Sequence, residues 1–240
     1  MKRLTFFILF GLLSQFSLAD DEFSFPQFNG LITAAVSQDH LPYKQVDSST
    51  QPSLLIFGRL GNAFIEGNRV GYPIKRFGFG TLSAIGQLRT HQYLDASNTN
   101  LTNLDRDRAI EIGPQLSIPL GAGYVSQWTL FQDISDKHKA QEFEISAYKR
   151  LIYDDFRLIT TLALQYQTQD LMDYYVGTEN YTPRSEWTQE IELLAVYDLN
   201  QDWSFTAMWR YYLHGSEFKD SPLTSEDSTQ RLAFGIGRHF

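Results

Sequence analysis

The sequence predicts an all-β fold: a closed antiparallel transmembrane β-barrel of about twelve strands behind an N-terminal signal peptide. Three observations carry this: the last ten residues, the first nineteen, and the length of the alternating segments between them. In the stretch 231–240, Leu232, Phe234, Ile236 and Phe240 fall on one side of an extended strand. Arg231, Ala233, Gly235, Gly237 and His239 fall on the other. A strand flips its side chains at every residue, so this is one apolar face and one small or polar face, ending on an aromatic residue. Arg238 interrupts the apolar face near the expected membrane interface, where its long stem lets the charge reach the headgroups. A half-buried strand of a soluble protein would alternate in the same way.

The other end separates the two readings. Lys2 and Arg3 precede the apolar run 4–13, and Ser17-Leu18-Ala19 supplies small residues where a signal peptidase cuts. Residues 1–19 therefore read as a secretory signal peptide and 20–240 as one barrel domain. The apolar run is too short for a spanning helix, and no later segment approaches that length. The chain has no cysteine, so it would cross an oxidising compartment without disulfides or thiol metal sites. Aromatics reach 15%, the enrichment expected of interfacial girdles. A net charge of −8 argues against a nucleic-acid partner.

Taken in chain order, strands are expected at 27–38 and 52–60, then a short hairpin within 62–75 turning at Gly67-Asn68, then 77–90, 108–118, 121–133, 140–152, 155–167, 187–199, 202–213 and the final stretch. Four alternate most strongly. Ile110, Ile112, Leu116 and Ile118 oppose Glu111, Gln115 and Ser117. Phe156, Leu158, Leu162, Leu164 and Tyr166 oppose Arg157, Thr161, Gln165 and Gln167. Ile191, Leu193, Ala195 and Tyr197 oppose Glu190, Glu192 and Asp198, and Trp203, Phe205, Ala207 and Trp209 oppose Ser204, Thr206 and Arg210. Each runs about ten residues, the length a tilted strand needs to cross the hydrocarbon. Soluble sandwiches mostly use about five or six.

Short connections are expected at Leu60-Gly61, Lys75-Arg76, Leu120-Gly121, Asp154-Asp155 and Asn200-Gln201, and longer polar ones over 39–51, 91–107, 134–139, 169–186 and 214–227. Traced back from a periplasmic C-terminus, every short turn lies inside and every long loop outside, the asymmetry of outer-membrane barrels. The count is twelve strands with the 62–75 hairpin and ten without it. An open sheet edge in lipid would leave unpaired amides, so the sheet must close. The polar faces then point into the lumen. The charge cluster expected there is Glu111, Glu144, Arg157, Glu190, Glu192 and Arg210, joined by Glu142 and Arg150. In a narrow barrel, mixed acids and bases are expected to pair and fill the interior rather than line an open path.

Three segments carry a family resemblance. Asn62-Ala63-Phe64-Ile65-Glu66-Gly67 with Gly71-Tyr72 is an aromatic-rich hairpin; Asp105-Arg106 with Ile110-Glu111-Ile112-Gly113 opens a strand; Leu213, Gly215 and Asp220-Ser221-Pro222-Leu223 precede the last strand. Over nearly the whole mature length the chain resembles the MipA/OmpV family, the MltA-interacting-protein-like outer-membrane proteins. Tyr174-Tyr175-Val176-Gly177 departs from the Tyr-Tyr-Gly-Val common there, and His214 and Glu217-Phe218-Lys219 replace smaller residues. The resemblance implies a non-enzymatic outer-membrane protein embedded in outer-membrane lipid. Its founding member is regarded as a scaffold between a lytic transglycosylase and a peptidoglycan synthase. It supplies no catalytic, cofactor or metal-binding residue.

Other motifs have plainer explanations. His40, His91, His138, His214 and His239 lack metal-site spacing and are expected to be solvated on loops and strand ends. His214, Ser216 and Asp220 would suggest a surface hydrolase only if they converged in space. Glu190 and Glu192, about 7 Å apart along one strand face, have the separation of a sugar-cleaving pair, but pairing with Arg157 or Arg210 is the simpler expectation. Gly78-Phe79-Gly80 and Gly235-Ile236-Gly237 are not phosphate loops, since no helix follows. Asp220-Ser221-Pro222 is the candidate functional loop, and its composition equally makes a structural corner. The alternatives to a scaffold are a small solute or ion channel, an outer-surface adhesin, or a barrel hydrolase.

Overall fold

The computed structural model describes residues 26–44, 46, 48–90 and 106–240. The expected signal peptide, His91 and most of the expected loop 91–107 lie outside them. Twelve strands form one closed antiparallel ring, each hydrogen-bonded to its sequence neighbours, with β1 against β12. They are β1 (Phe28–His40), β2 (Ser49–Leu60), β3 (Ala63–Glu66), β4 (Arg69–Phe77), β5 (Gly80–Arg89), β6 (Ala109–Gly121), β7 (Tyr124–Asp133), β8 (Gln141–Tyr153), β9 (Phe156–Gln167), β10 (Glu186–Asp198), β11 (Trp203–Leu213) and β12 (Ser228–His239). Two short helices, α1 (Gln169–Val176) and α2 (Ser216–Lys219), sit in the loops.

Closure is completed by a reciprocal pair in which Gly30 N–H donates to Phe240 O at 3.1 Å and Phe240 N–H to Gly30 O at 2.9 Å. The closed ring pairs each strand on both sides, as lipid demands, except that β2 above Phe57 pairs with β1 alone because the β3–β4 hairpin stops short. The outer wall is apolar: Leu54, Leu162, Phe234 and Ile236 are exposed there, while their neighbours Leu55, Ala163 and Ala233 are buried inside. Phe205 and Phe234 stack on this wall with ring centres 6.5 Å apart. Arg238 lies on the same face and places its guanidinium 5.3 Å from the centre of the Phe240 ring.

The twelve-strand count holds, and the 62–75 hairpin is part of the ring. One end of the barrel carries the start of β1, the C-terminus and the tight turns β2–β3, β4–β5, β6–β7, β8–β9 and β10–β11; the long loops leave from the other. One expected turn is misplaced. Lys75 and Arg76 remain in β4, opposite Leu82 and Thr81, and the chain reverses at Gly78-Phe79. A β-bulge between Pro73 and Lys75 lengthens the strand there. Phe77 and Phe79 stack across the turn, 5.5 Å apart.

Glycine permits the short hairpin. Phe64 and Gly71 are directly opposed, and a Cβ on Gly71 would lie 2.0 Å from the Phe64 ring. The ring lies flat where a side chain would stand. Gly67, with φ +64°, takes the left-handed position at the tip.

Candidate functional site

Strand parity sends alternate residues inward, and from the loop end to the turn end the lumen fills in layers. At the loop end, Tyr43, Leu171, Met172, Tyr175, Val176 and Phe218 form a buried apolar cap. It is built from three loops. Helix α1 contributes Leu171, Met172, Tyr175 and Val176, one buried stripe at helical spacing. Lys44 N–H donates to Leu223 O at 2.8 Å and Ser225 N–H to Pro42 O at 2.8 Å, tying the first loop to the last.

The candidate triplet belongs to this cap. Ser221 is buried and donates its hydroxyl to Val176 O at 2.6 Å, while its Oγ accepts Leu223 N–H at 3.2 Å. Asp220 N–H donates to Ser216 O at 2.8 Å, and Pro222 O accepts Lys44 Nζ at 2.9 Å. Asp220-Ser221-Pro222 thus pins the last loop to α1 as a corner.

Below the cap lies an ion-pair layer. Arg89, 1% exposed, reaches Glu111 at 2.8 Å and Glu142 at 2.7 Å. Arg69 holds Glu144 with two hydrogen bonds, at 2.8 and 2.6 Å. Gln165 bridges Glu144 and Glu190 at 3.2 and 2.8 Å. Arg210 pairs with Glu192 and lies 3.3 Å from Glu190, and Arg231 pairs with Asp39. Buried charges are tolerable only when compensated, and each of these lies against an opposite charge. A cavity of about 10 Å³ bordered by Asp39, Arg210, Tyr212 and Arg231 has room for one water.

The expected cluster is therefore partly assembled. Glu144, Glu190, Glu192 and Arg210 come together around Arg69, and Glu111 sits beside them with Arg89 and Glu142. Arg157 does not join. It lies eight residues before Gln165 on β9, about 26 Å along the strand, and pairs with Asp198 near the turn end. His239 Nε2 approaches the same carboxylate at 3.0 Å. Arg69 and Arg89, which the charge pattern did not single out, are the central cations. Below the ion pairs, Ala35, Leu55, Leu194, Met208 and Ala233 form an apolar layer, with Phe57 and Ile159 packed against it.

Two histidines contradict the expectation of solvated loops. His138 is buried, with Nε2 3.0 Å from Glu111 Oε1. His214 is buried with its ring stacked on Phe218, centroids 3.9 Å apart. Its nitrogens meet Thr188 Oγ1 at 3.2 Å and Thr229 Oγ1 at 2.9 Å, so its hydrogen bonds go to threonines rather than to Ser216. Burial pushes its pKa down to about 3, against a weaker upward pull from Asp227. The loops fold back over these rings, which spacing in sequence does not reveal. Glu190 and Glu192 both face Arg210, as the pairing expectation had it. Among the described residues, no group of three or more His, Asp or Glu is placed to hold a metal ion.

Comparison with known proteins agrees with this architecture. Residues 32–240 match the family model described as MltA-interacting protein MipA. The chain is 24% identical over 203 residues, 78% of each chain, to Outer membrane protein OmpV of Vibrio cholerae. Among solved structures, the translocator domain of autotransporter NalP from Neisseria meningitidis superposes with a TM-score of 0.51 at 11% identity, covering 88% of each chain. That likeness concerns the fold alone. The chain is an outer-membrane β-barrel, and it belongs to the MltA-interacting protein MipA family.

Proposed function

We propose that this barrel is a non-enzymatic scaffold that works through its rims, with its periplasmic end positioning peptidoglycan-remodelling enzymes. One observation carries the reading: the lumen is occupied in turn by the apolar cap, the ion-pair layer and the apolar layer beneath it. A protein filled in this way has its rims available to partners, and short turns put the periplasmic rim at the peptidoglycan side. The family description, which names an interaction with MltA, supports the same reading. A lytic transglycosylase and a peptidoglycan synthase are the proposed partners. Affinity capture from mild detergent extracts after light crosslinking should recover such an enzyme. Recovery of neither class, with the barrel intact, would contradict the proposal.

A second reading has one observation in its favour. An open groove of about 410 Å³ lies at the loop end between Arg184, Trp187, Gly215, Ser216 and Glu217, a surface an adhesin would use. Loss of surface adhesion on Trp187→Ala, at unchanged barrel abundance, would support it; unchanged adhesion would remove it.

A further inference from the structure

The turn-end half of the lumen differs from the half above it. Arg59, Arg76 and Arg150 are all exposed, and among the described residues none makes a salt bridge or side-chain hydrogen bond. Strand parity turns all three inward. Arg59 follows Leu55 and Phe57 on the inner face of β2, and Arg150 follows Glu142, Glu144 and Ser146 on that of β8. Arg76 would point to lipid in an unbroken strand that has Arg69 inside. The bulge between Pro73 and Lys75 shifts the parity by one, so that Arg76 opposes Thr81, itself opposed to Ser117 on the inner face of β6. Re-aiming a side chain is a recurrent use of bulges.

Among the described residues, no acid at this end, Asp154, Asp155 and Asp202 in the turns included, forms an ion pair with the three arginines. Asp198 is taken by Arg157 and His239. Glu66, opposite Phe57 on β2 and Arg69 on β4, feels Arg69 most strongly and Arg150 and Arg59 more weakly. Arg150 stands six residues below Glu144 on β8, so the ion-pair layer lies about 20 Å further up the strand. Between them lies the apolar layer, with Phe57 and Ile159 packed against it. The turn end of the lumen thus carries three exposed, inward-turned arginines below an apolar layer.

We propose that Arg59, Arg76 and Arg150, turned inward from three strands at the turn end, form a socket for an extended peptide segment bearing carboxylates. Guanidinium groups hold carboxylates bidentately. Bilayer headgroups contact the outside of the wall and do not enter the lumen. The inference rests on the scaffold reading and specifies its contact: the partner inserts an acidic tail or loop.

Refolded full-length protein in detergent is titrated with labelled hexaglutamate, with hexalysine and inorganic phosphate as comparison probes. Hexaglutamate should bind, weaken steeply with added salt, and lose about tenfold in affinity when Arg59, Arg76 and Arg150 are all changed to Gln, with each single change giving a smaller loss. Arg238→Gln, outside the lumen, should bind as the wild type does. Native migration of unheated protein on a denaturing gel certifies each variant, and the single changes decide the matter if the triple variant does not fold. No binding by wild type, or equal binding by the folded arginine variants, would overturn the proposal. Displacement by phosphate at concentrations equal in charge would also overturn it, leaving a generic anion site. Enzyme capture that fails while hexaglutamate still binds would sink the scaffold reading alone; capture that persists while hexaglutamate does not bind would sink the socket alone.

Discussion

Arg89 holds two carboxylates, Glu111 at 2.8 Å and Glu142 at 2.7 Å, in a setting with almost no solvent contact. Removing one partner of a buried ion group leaves an uncompensated charge, at a cost of about 3–5 kcal/mol. Arg89→Gln should therefore lower the urea midpoint of unfolding from lipid bilayers, and adding Glu142→Gln should recover part of the loss. A midpoint unchanged by Arg89→Gln would show the layer is solvated. His214 makes a pH prediction. The folded chain keeps its ring neutral down to about 3, whereas the unfolded chain protonates below about 6.5. The outer cap is then at full stability above that range and weakens as pH falls toward 3. Hydrogen exchange across residues 214–227 should be faster at about pH 4.5 than at about pH 7.5, after correction for intrinsic rates. His214→Gln should flatten the difference. At this scale the sequence reveals half of each interaction: alternation marks Glu111, Glu144 and Glu190 as inward. Their cations Arg69 and Arg89 sit on other strands, and lumen pairing is set by register and curvature.

The hairpin of β3 and β4 depends on a ring lying over a missing side chain. Gly71→Ala would bring a methyl to 2.0 Å from Phe64, an overpacking that costs about 1–3 kcal/mol. Pairing it with Phe64→Leu should restore most of that stability, measured by the same bilayer unfolding; additive losses would refute the contact. Long strands such as β9 and β10 were legible because each alternates over more than ten residues. The turn at Gly78-Phe79 was not, because a bulge adds a residue to β4 and moves the reversal past the two basic residues that looked like its tip. Helix α1 left a readable trace in Leu171, Met172, Tyr175 and Val176, which recur at helical spacing inside a loop. Its packing against Tyr43 and Phe218, from distant loops, left none.

On the scale of the whole molecule, the apolar exterior meets lipid, the ring is closed, and the interior is occupied from the cap to the lower apolar layer. Closure was legible in the length, parity and turn asymmetry of the strands. That the loops fold back to seal the outer end was not, since burial of His214 and Ser221 depends on contacts between loops far apart in sequence. The account places function at the outer rim and the periplasmic mouth because the lumen between them is filled from the cap to the lower apolar layer. Planar-bilayer recording from refolded protein tests this most directly. The account predicts a quiet trace across the voltage range at neutral pH. Regular conductance steps from wild-type protein, absent from mock-refolded controls, would contradict it.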